Sequence, residues 1–140
     1  MSKNAIASLA VALLVTACAL PPQPDPSSVR IESTPGSAVV YVVRSKPDLG
    51  PVPAQITVNE QIIGTTYPGV YYRVEVAPGL TKLAGTGVDN GALTLQTQAG
   101  GIYFVQQRVA GTWREPGPHS FFSVIDERRA RAAMAAGERG

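Results

Sequence analysis

Ala38-Val39-Val40-Tyr41-Val42-Val43-Arg44 is the run that decides the fold of this chain. Six consecutive apolar residues, most of them β-branched, read as a strand, and short apolar runs of this kind mark strands buried on both faces. A strand exposed on one face would alternate apolar with polar. This one does not, so it is predicted to be central. Lys46 to Pro53 cannot extend it, because Pro47, Pro51 and Pro53 have no N–H to give a ladder. Upstream, Val29 to Ser33 is predicted to form a first strand. Downstream, Gln55 to Thr66 reads as a hairpin: Ile56 and Val58 share one side, Asn59-Glu60 turn, and Ile62 and Ile63 return toward Gly64. Val70 to Val76 alternates, with Val70, Tyr72, Val74 and Val76 predicted inward and Tyr71, Arg73 and Glu75 outward.

The rest of the chain continues the pattern. Pro78-Gly79 turns into a short strand over Leu80 to Ala84. Gly85 to Gly91 is a loop, in which Asn90-Gly91 suits a tight turn. Leu93 and Leu95 point to the core from Ala92 to Gln98, and Gly100-Gly101 lead into a strand from Ile102 to Val109. Ala110 to His119 is a loop carrying Trp113, Pro116 and Pro118. Ser123 can cap a helix, Asp126 and Glu127 favour its start, Arg128 to Ala136 is rich in helix formers, and Gly137 stops it. With 14 glycines, 12 prolines and 16% charged residues, the composition suits a turn-rich β domain better than a helical bundle. The expectation is an all-β fold: an antiparallel β-sandwich of about seven to nine short strands with a C-terminal helix.

The N-terminus has a different character. Lys3 precedes an apolar stretch from Ala5 to Ala17, interrupted only by Ser8 and Thr16. This is a basic start and an apolar core in the manner of a secretory signal, and it is shorter than the roughly 20 residues a spanning helix needs. Val15-Thr16-Ala17-Cys18 resembles the bacterial lipobox, an aliphatic residue, a small residue and Ala or Gly before the cysteine. That resemblance implies that Cys18, the single cysteine, takes a diacylglyceryl group on its thiol, that cleavage falls before it, and that its new amino group is often acylated. One acyl chain anchors only marginally, while two hold a protein at a bilayer. Ala19 after the cysteine, by resemblance to the sorting rule of enteric bacteria, favours the outer membrane. The organisation expected is a signal peptide over 1–17, a lipidated Cys18 and Pro-rich tether over 18–28, a β-sandwich domain over 29–125, and a C-terminal helix and tail over 126–140. The tether favours extended polyproline II at about 3.1 Å per residue, enough to hold the domain on the order of 30 Å from the lipid.

Three short motifs, Tyr41-Val42-Val43-Arg44, Pro78-Gly79 and Gly101-Ile102-Tyr103-Phe104, resemble those of an uncharacterised family of small bacterial lipoproteins, a domain-of-unknown-function family. They span roughly Ser37 to Ile125. Val43 stands where that family usually has a second aromatic residue. The resemblance implies a β-sandwich and an envelope location and no particular activity.

Candidate chemistry is sparse. The formal net charge is +2 with basic and acidic residues dispersed, so no basic field favours nucleic acid as a partner. His119 is the sole histidine, which excludes a histidine metal cluster, and no second cysteine completes a thiolate site. His119 beside Ser120 lacks the nucleophile elbow that presents a catalytic serine. Asp48, Glu60, Asp89 and Glu115 sit at predicted turns, where carboxylates are commonly solvated, whereas a catalytic acid needs desolvation. The glycine pairs lack the strand-to-helix setting of a phosphate loop, and no cofactor is expected. Arg128, Arg129 and Arg131 read as the solvated face of a terminal helix. That leaves Cys18 for lipidation and the aromatic residues Tyr71, Tyr67 and Trp113 as a candidate binding surface, since exposed aromatics bury much apolar area at a contact. The functional expectation is a lipid-anchored, periplasm-facing binding or structural module rather than an enzyme. Its expected partners are the membrane through Cys18, then an envelope protein, with peptidoglycan second. The competing expectation is a small envelope hydrolase or glycan-binding module.

Overall fold

A computed structural model describes residues 21–86, 91–111 and 117–140. The signal segment, Cys18, Ala19, Asp89, the Asn90 turn, Trp113 and Glu115 lie outside them. Among the described residues the strands are β1 (Ala38–Val43), β2 (Ala54–Val58), β3 (Gln61–Thr66), β4 (Val70–Val76), β5 (Gly79–Gly85), β6 (Ala92–Thr97), β7 (Ile102–Ala110), β8 (His119–Val124) and β9 (Glu138–Arg139), with one α-helix, α1 (Glu127–Ala135), between β8 and β9, and a 3-10 turn over Pro26–Ser28 at the end of the expected tether. They form a five-stranded sheet, β8-β7-β1-β4-β9, and a four-stranded sheet, β3-β2-β5-β6. The chain is therefore the all-β sandwich with a C-terminal helix that its sequence predicts.

β1 is the central strand, and every one of its residues is buried. The absence of alternation has a direct cause. Ala38, Val40 and Val42 point into the sandwich, against Ile56, Val58, Leu83 and Leu95 of the opposite sheet. Val39, Tyr41 and Val43 point the other way and meet Phe104, Ile125, Ala130 and Met134. α1 thus makes a third layer, and two cores share one strand. Tyr41 stacks on Phe104 with ring centroids 5.8 Å apart, across a register in which the two residues are direct neighbours.

Most pairings are antiparallel, as expected, but β1 runs parallel to β7, and β4 runs parallel to β9. The reason is that consecutive strands do not all stay in one sheet. β1 hands the chain to β2 in the other sheet, and the chain crosses again from β3 to β4, from β4 to β5 and from β6 to β7. Only β2–β3, β5–β6 and β7–β8 are hairpins of consecutive strands. The first turns at Asn59 and Glu60 with φ of 48° and 70°, the left-handed pair a two-residue hairpin demands.

Three segments differ from expectation. Val29 to Ser33 is not a strand. It lies over the outer core instead, where Val29 and Ile31 pack, and its Glu32 N–H donates to the Tyr41 hydroxyl at 3.1 Å. Ser123 does not cap the helix, because it belongs to β8 and pairs with Gln106. The cap is Asp126, whose Oδ1 accepts from the Arg129 N–H at 2.8 Å. Finally, the tail is part of the sheet. The Glu138 N–H donates to the Gly69 carbonyl at 2.8 Å, and the Gly140 N–H to the Tyr71 carbonyl at 2.9 Å.

Candidate functional site

At the end of the sandwich where β1 stops, the proline-rich segment after it folds back over the two sheets. Its foundation is a buried charge. The Arg44 side chain is fully enclosed and the Asp48 side chain is 2% exposed, with Nε to Oδ2 at 2.6 Å. All three nitrogens of Arg44 are engaged: Nε on Asp48, Nη1 on the Thr66 carbonyl at 3.0 Å, and Nη2 on the Gly50 carbonyl at 2.8 Å. Asp48 accepts in turn from the Leu49 N–H at 2.7 Å and the Val109 N–H at 3.0 Å. Burying an ion pair is tolerable only when further hydrogen bonds meet its charged groups, as these backbone partners do. A proline-rich segment that cannot form ladders needs some other means of fixing its path, and the paired charges provide it.

The polar chain continues inward. Thr66 Oγ1 lies 2.7 Å from Gln107 Oε1, and Gln107 Nε2 donates to Ser120 Oγ at 3.0 Å. Thr66, Gln107 and Ser120 are all buried. This line of side chains ties β3 of one sheet to β7 and β8 of the other. Ser120 is 1% exposed, so it stands in the interior as a structural hydroxyl. His119 opens β8 opposite Ala110.

Above this base the loop presents an apolar rim. Leu49 is 53% and Tyr67 52% exposed. Two shallow grooves share Lys46 and Pro68. One, of 300 Å³, is walled by Pro47, Leu49 and Pro51. The other, of 330 Å³, runs from Tyr67 and Gly69 to Gly137 and Glu138. The sequence marks Tyr67 but not Leu49 and the prolines beside it. The missed signal was the density of prolines, which read only as strand termination. Tyr71 does project from the opposite face to Tyr72, but that face is covered. It packs half-buried in the outer core with Ala130 and Met134, away from the rim. Among the expected turn acids, Glu60 is exposed, whereas Asp48 is the buried partner of Arg44. Arg131 is bound to Glu127 at 2.8 Å and donates to the Val29 carbonyl at 2.8 Å, so it staples the N-terminal segment to α1.

A second polar cluster fixes that segment to β4. Arg73 Nη1 meets Glu75 at 2.7 Å, Arg73 Nη2 donates to the Thr34 hydroxyl at 2.9 Å, and Thr34 donates to Glu75 at 2.7 Å. The hydrogen bond from Arg73, then that from Thr34, lowers the Glu75 pKa below the ordinary carboxylate value. Arg73 is mostly covered but Glu75 is about half exposed, so solvent screens the pair and the cluster positions the segment more than it stabilises it.

Among the described residues no group of histidine, cysteine, aspartate and glutamate side chains is placed to hold a metal ion, and no helix is long and apolar enough to cross a membrane. No family model matches the chain, and no curated protein matches it.

Proposed function

We propose that this is a lipid-anchored protein of the bacterial cell envelope, held through Cys18, whose β-sandwich is a non-catalytic module that docks a partner protein through the rim around Tyr67 and Leu49. The observation that carries the docking reading is that rim: a half-exposed tyrosine and leucine among prolines, standing on a buried Arg44–Asp48 pair hydrogen-bonded to four backbone groups. A surface already fixed in the free protein loses little entropy when it binds, and aromatic anchors supply most of the energy at protein contacts. Asp48 supports binding over hydrolysis, because both its oxygens already accept hydrogen bonds and its charge is matched. The anchor reading rests on the lipobox-like Val15-Thr16-Ala17-Cys18, and Ala19 favours the outer membrane. The likeness of three motifs to small envelope lipoproteins supports the same location. They fall on β1, on the β4–β5 turn and at the start of β7.

The test has two parts. Cys18→Ser should abolish lipid labelling and release the protein from membranes, and continued membrane fractionation of the unlabelled variant would sink the anchor. A photo-crosslinking residue at position 67, in living cells, should capture a protein, and Leu49→Ala should weaken that capture. Capture of glycan alone would favour the peptidoglycan-binding alternative.

A further inference from the structure

The edges of the two sheets are not equally protected. Free strand edges invite pairing, and proteins blunt them with charge, proline, bulges, short strands or cover. β9 is two charged residues long. β3 is distorted by a register shift against β2. β8 lends the Ser120 carbonyl to the Gly91 N–H at 2.9 Å, which joins the two sheets at that corner. β6 shares that corner through Gly91, the residue just before it, and beyond it carries none of these devices. It pairs with β5 over six residues, Ala84↔Ala92 to Gly79↔Thr97, without a shift, and Ala92–Thr97 contains neither charge nor proline.

The phase of its hydrogen bonds is fixed by its neighbour. The Asn59 N–H donates to the Lys82 carbonyl at 2.8 Å, and the Lys82 N–H donates to Asn59 Oδ1 at 2.9 Å. Both backbone groups of Lys82 therefore point away from β6. Its partner Thr94 sits in a non-hydrogen-bonded pair, and antiparallel pairs alternate. So the N–H and C=O of Ala92, Thr94 and Gln96 all point out from the edge. These three residues are exposed, and among the described residues nothing accepts from or donates to that row.

We propose that this edge pairs with the same edge of a second copy of the chain, antiparallel about a two-fold axis through Thr94. The register is self-complementary. Thr94 faces Thr94 of the other copy, Ala92 faces Gln96, and Leu93 faces Leu95, so about six backbone hydrogen bonds form and like charges never meet. A register centred on Leu93 or Leu95 keeps the phase but opposes only two of the three outward-pointing residues, for about four hydrogen bonds instead of six. The two-fold runs normal to the joined sheet, so both copies carry α1 on the same side. The N-terminal segments, stapled to α1 through Arg131 and Val29, then leave from one face of the dimer. That geometry agrees with two anchors in one membrane but does not depend on it.

Light scattering on the purified full-length protein in detergent should show a mass rising from one chain to two with concentration. Thr94→Lys puts two ammonium groups across the axis. It should hold the mass at one chain and melt where the parent melts when dilute enough to be one chain. Amide exchange on the unaltered protein reads the same contact without a mutation. Ala92, Thr94 and Gln96 should become protected as concentration rises, while Leu93 and Leu95, already bonded to β5, should not change. A one-chain mass at every concentration, a two-chain mass surviving in Thr94→Lys, or exchange at Thr94 indifferent to concentration would each overturn the pairing. So would protection that appears only when an envelope extract is added, which would assign the edge to a foreign strand. Loss of membrane attachment in Cys18→Ser would leave all these readouts in place, so the two proposals fail separately.

Discussion

The Asp48 carboxylate lies between the Arg44 guanidinium and the amides of Leu49 and Val109, and the path of the rim depends on it. Asp48→Ala leaves the enclosed guanidinium without its counter-charge, a loss of about 3–5 kcal/mol for a buried pair broken on one side. Urea denaturation should show the unfolding free energy lowered by that amount, with an earlier midpoint, and a double replacement, Arg44→Met with Asp48→Leu, should cost less than Asp48→Ala alone. Little or no change in the single variant would mean the pair is not structural. Thr81 makes the opposite case. Its hydroxyl is fully buried and has no hydrogen-bond partner among the described residues, and such a group costs about 1–3 kcal/mol to bury. Thr81→Val keeps the shape and removes the cost, so it should raise the melting temperature; a lower one would show that the hydroxyl is satisfied.

At the scale of elements, the C-terminal strand is held by a close approach of two backbones. A Cβ on Gly137 would run into the Gly69 carbonyl oxygen, the same oxygen that accepts from Glu138. Gly137→Ala should therefore push β9 off β4 at about 1–3 kcal/mol, the usual cost of overpacking. Amide exchange should quicken at Glu138 and Gly140 and leave β6 unaffected; unchanged protection would place the clash elsewhere. The residue was legible as a helix stop, for glycine after Ala136 is the expected terminator. Its contact with Gly69 was not, because no local pattern says that the tail will return to a strand sixty-odd positions upstream. β8 escaped notice for a related reason. Ser120 and Ser123 interrupt its apolar residues, so the segment has neither clean alternation nor a continuous run, and only its pairing with β7 makes it a strand. Val29 to Ser33 has the alternation of a strand, but Val29 and Ile31 pack together on the outer core and the segment pairs with no strand.

For the whole molecule, β1 is the hinge of the energetics because both cores depend on it. Val42 is fully buried between the sheets, and an aspartate there would be an unpaired charge in an apolar interior. Val42→Asp should abolish the cooperative melting transition, and a variant melting like the parent would show that β1 is not central. The all-β class, the turns at Asn59-Glu60 and Pro78-Gly79, the central position of β1 and the terminal helix followed from the sequence alone, since propensity and periodicity are local properties of the chain. So did the candidacy of Tyr67. The parallel pairing of β1 with β7, the cover over Tyr71, the burial of Asp48 and the bare edge of β6 were decided only by tertiary structure. Each depends on which distant segments meet, and the solvation of a charge or of a strand edge is set by its neighbours in space, which local pattern does not encode.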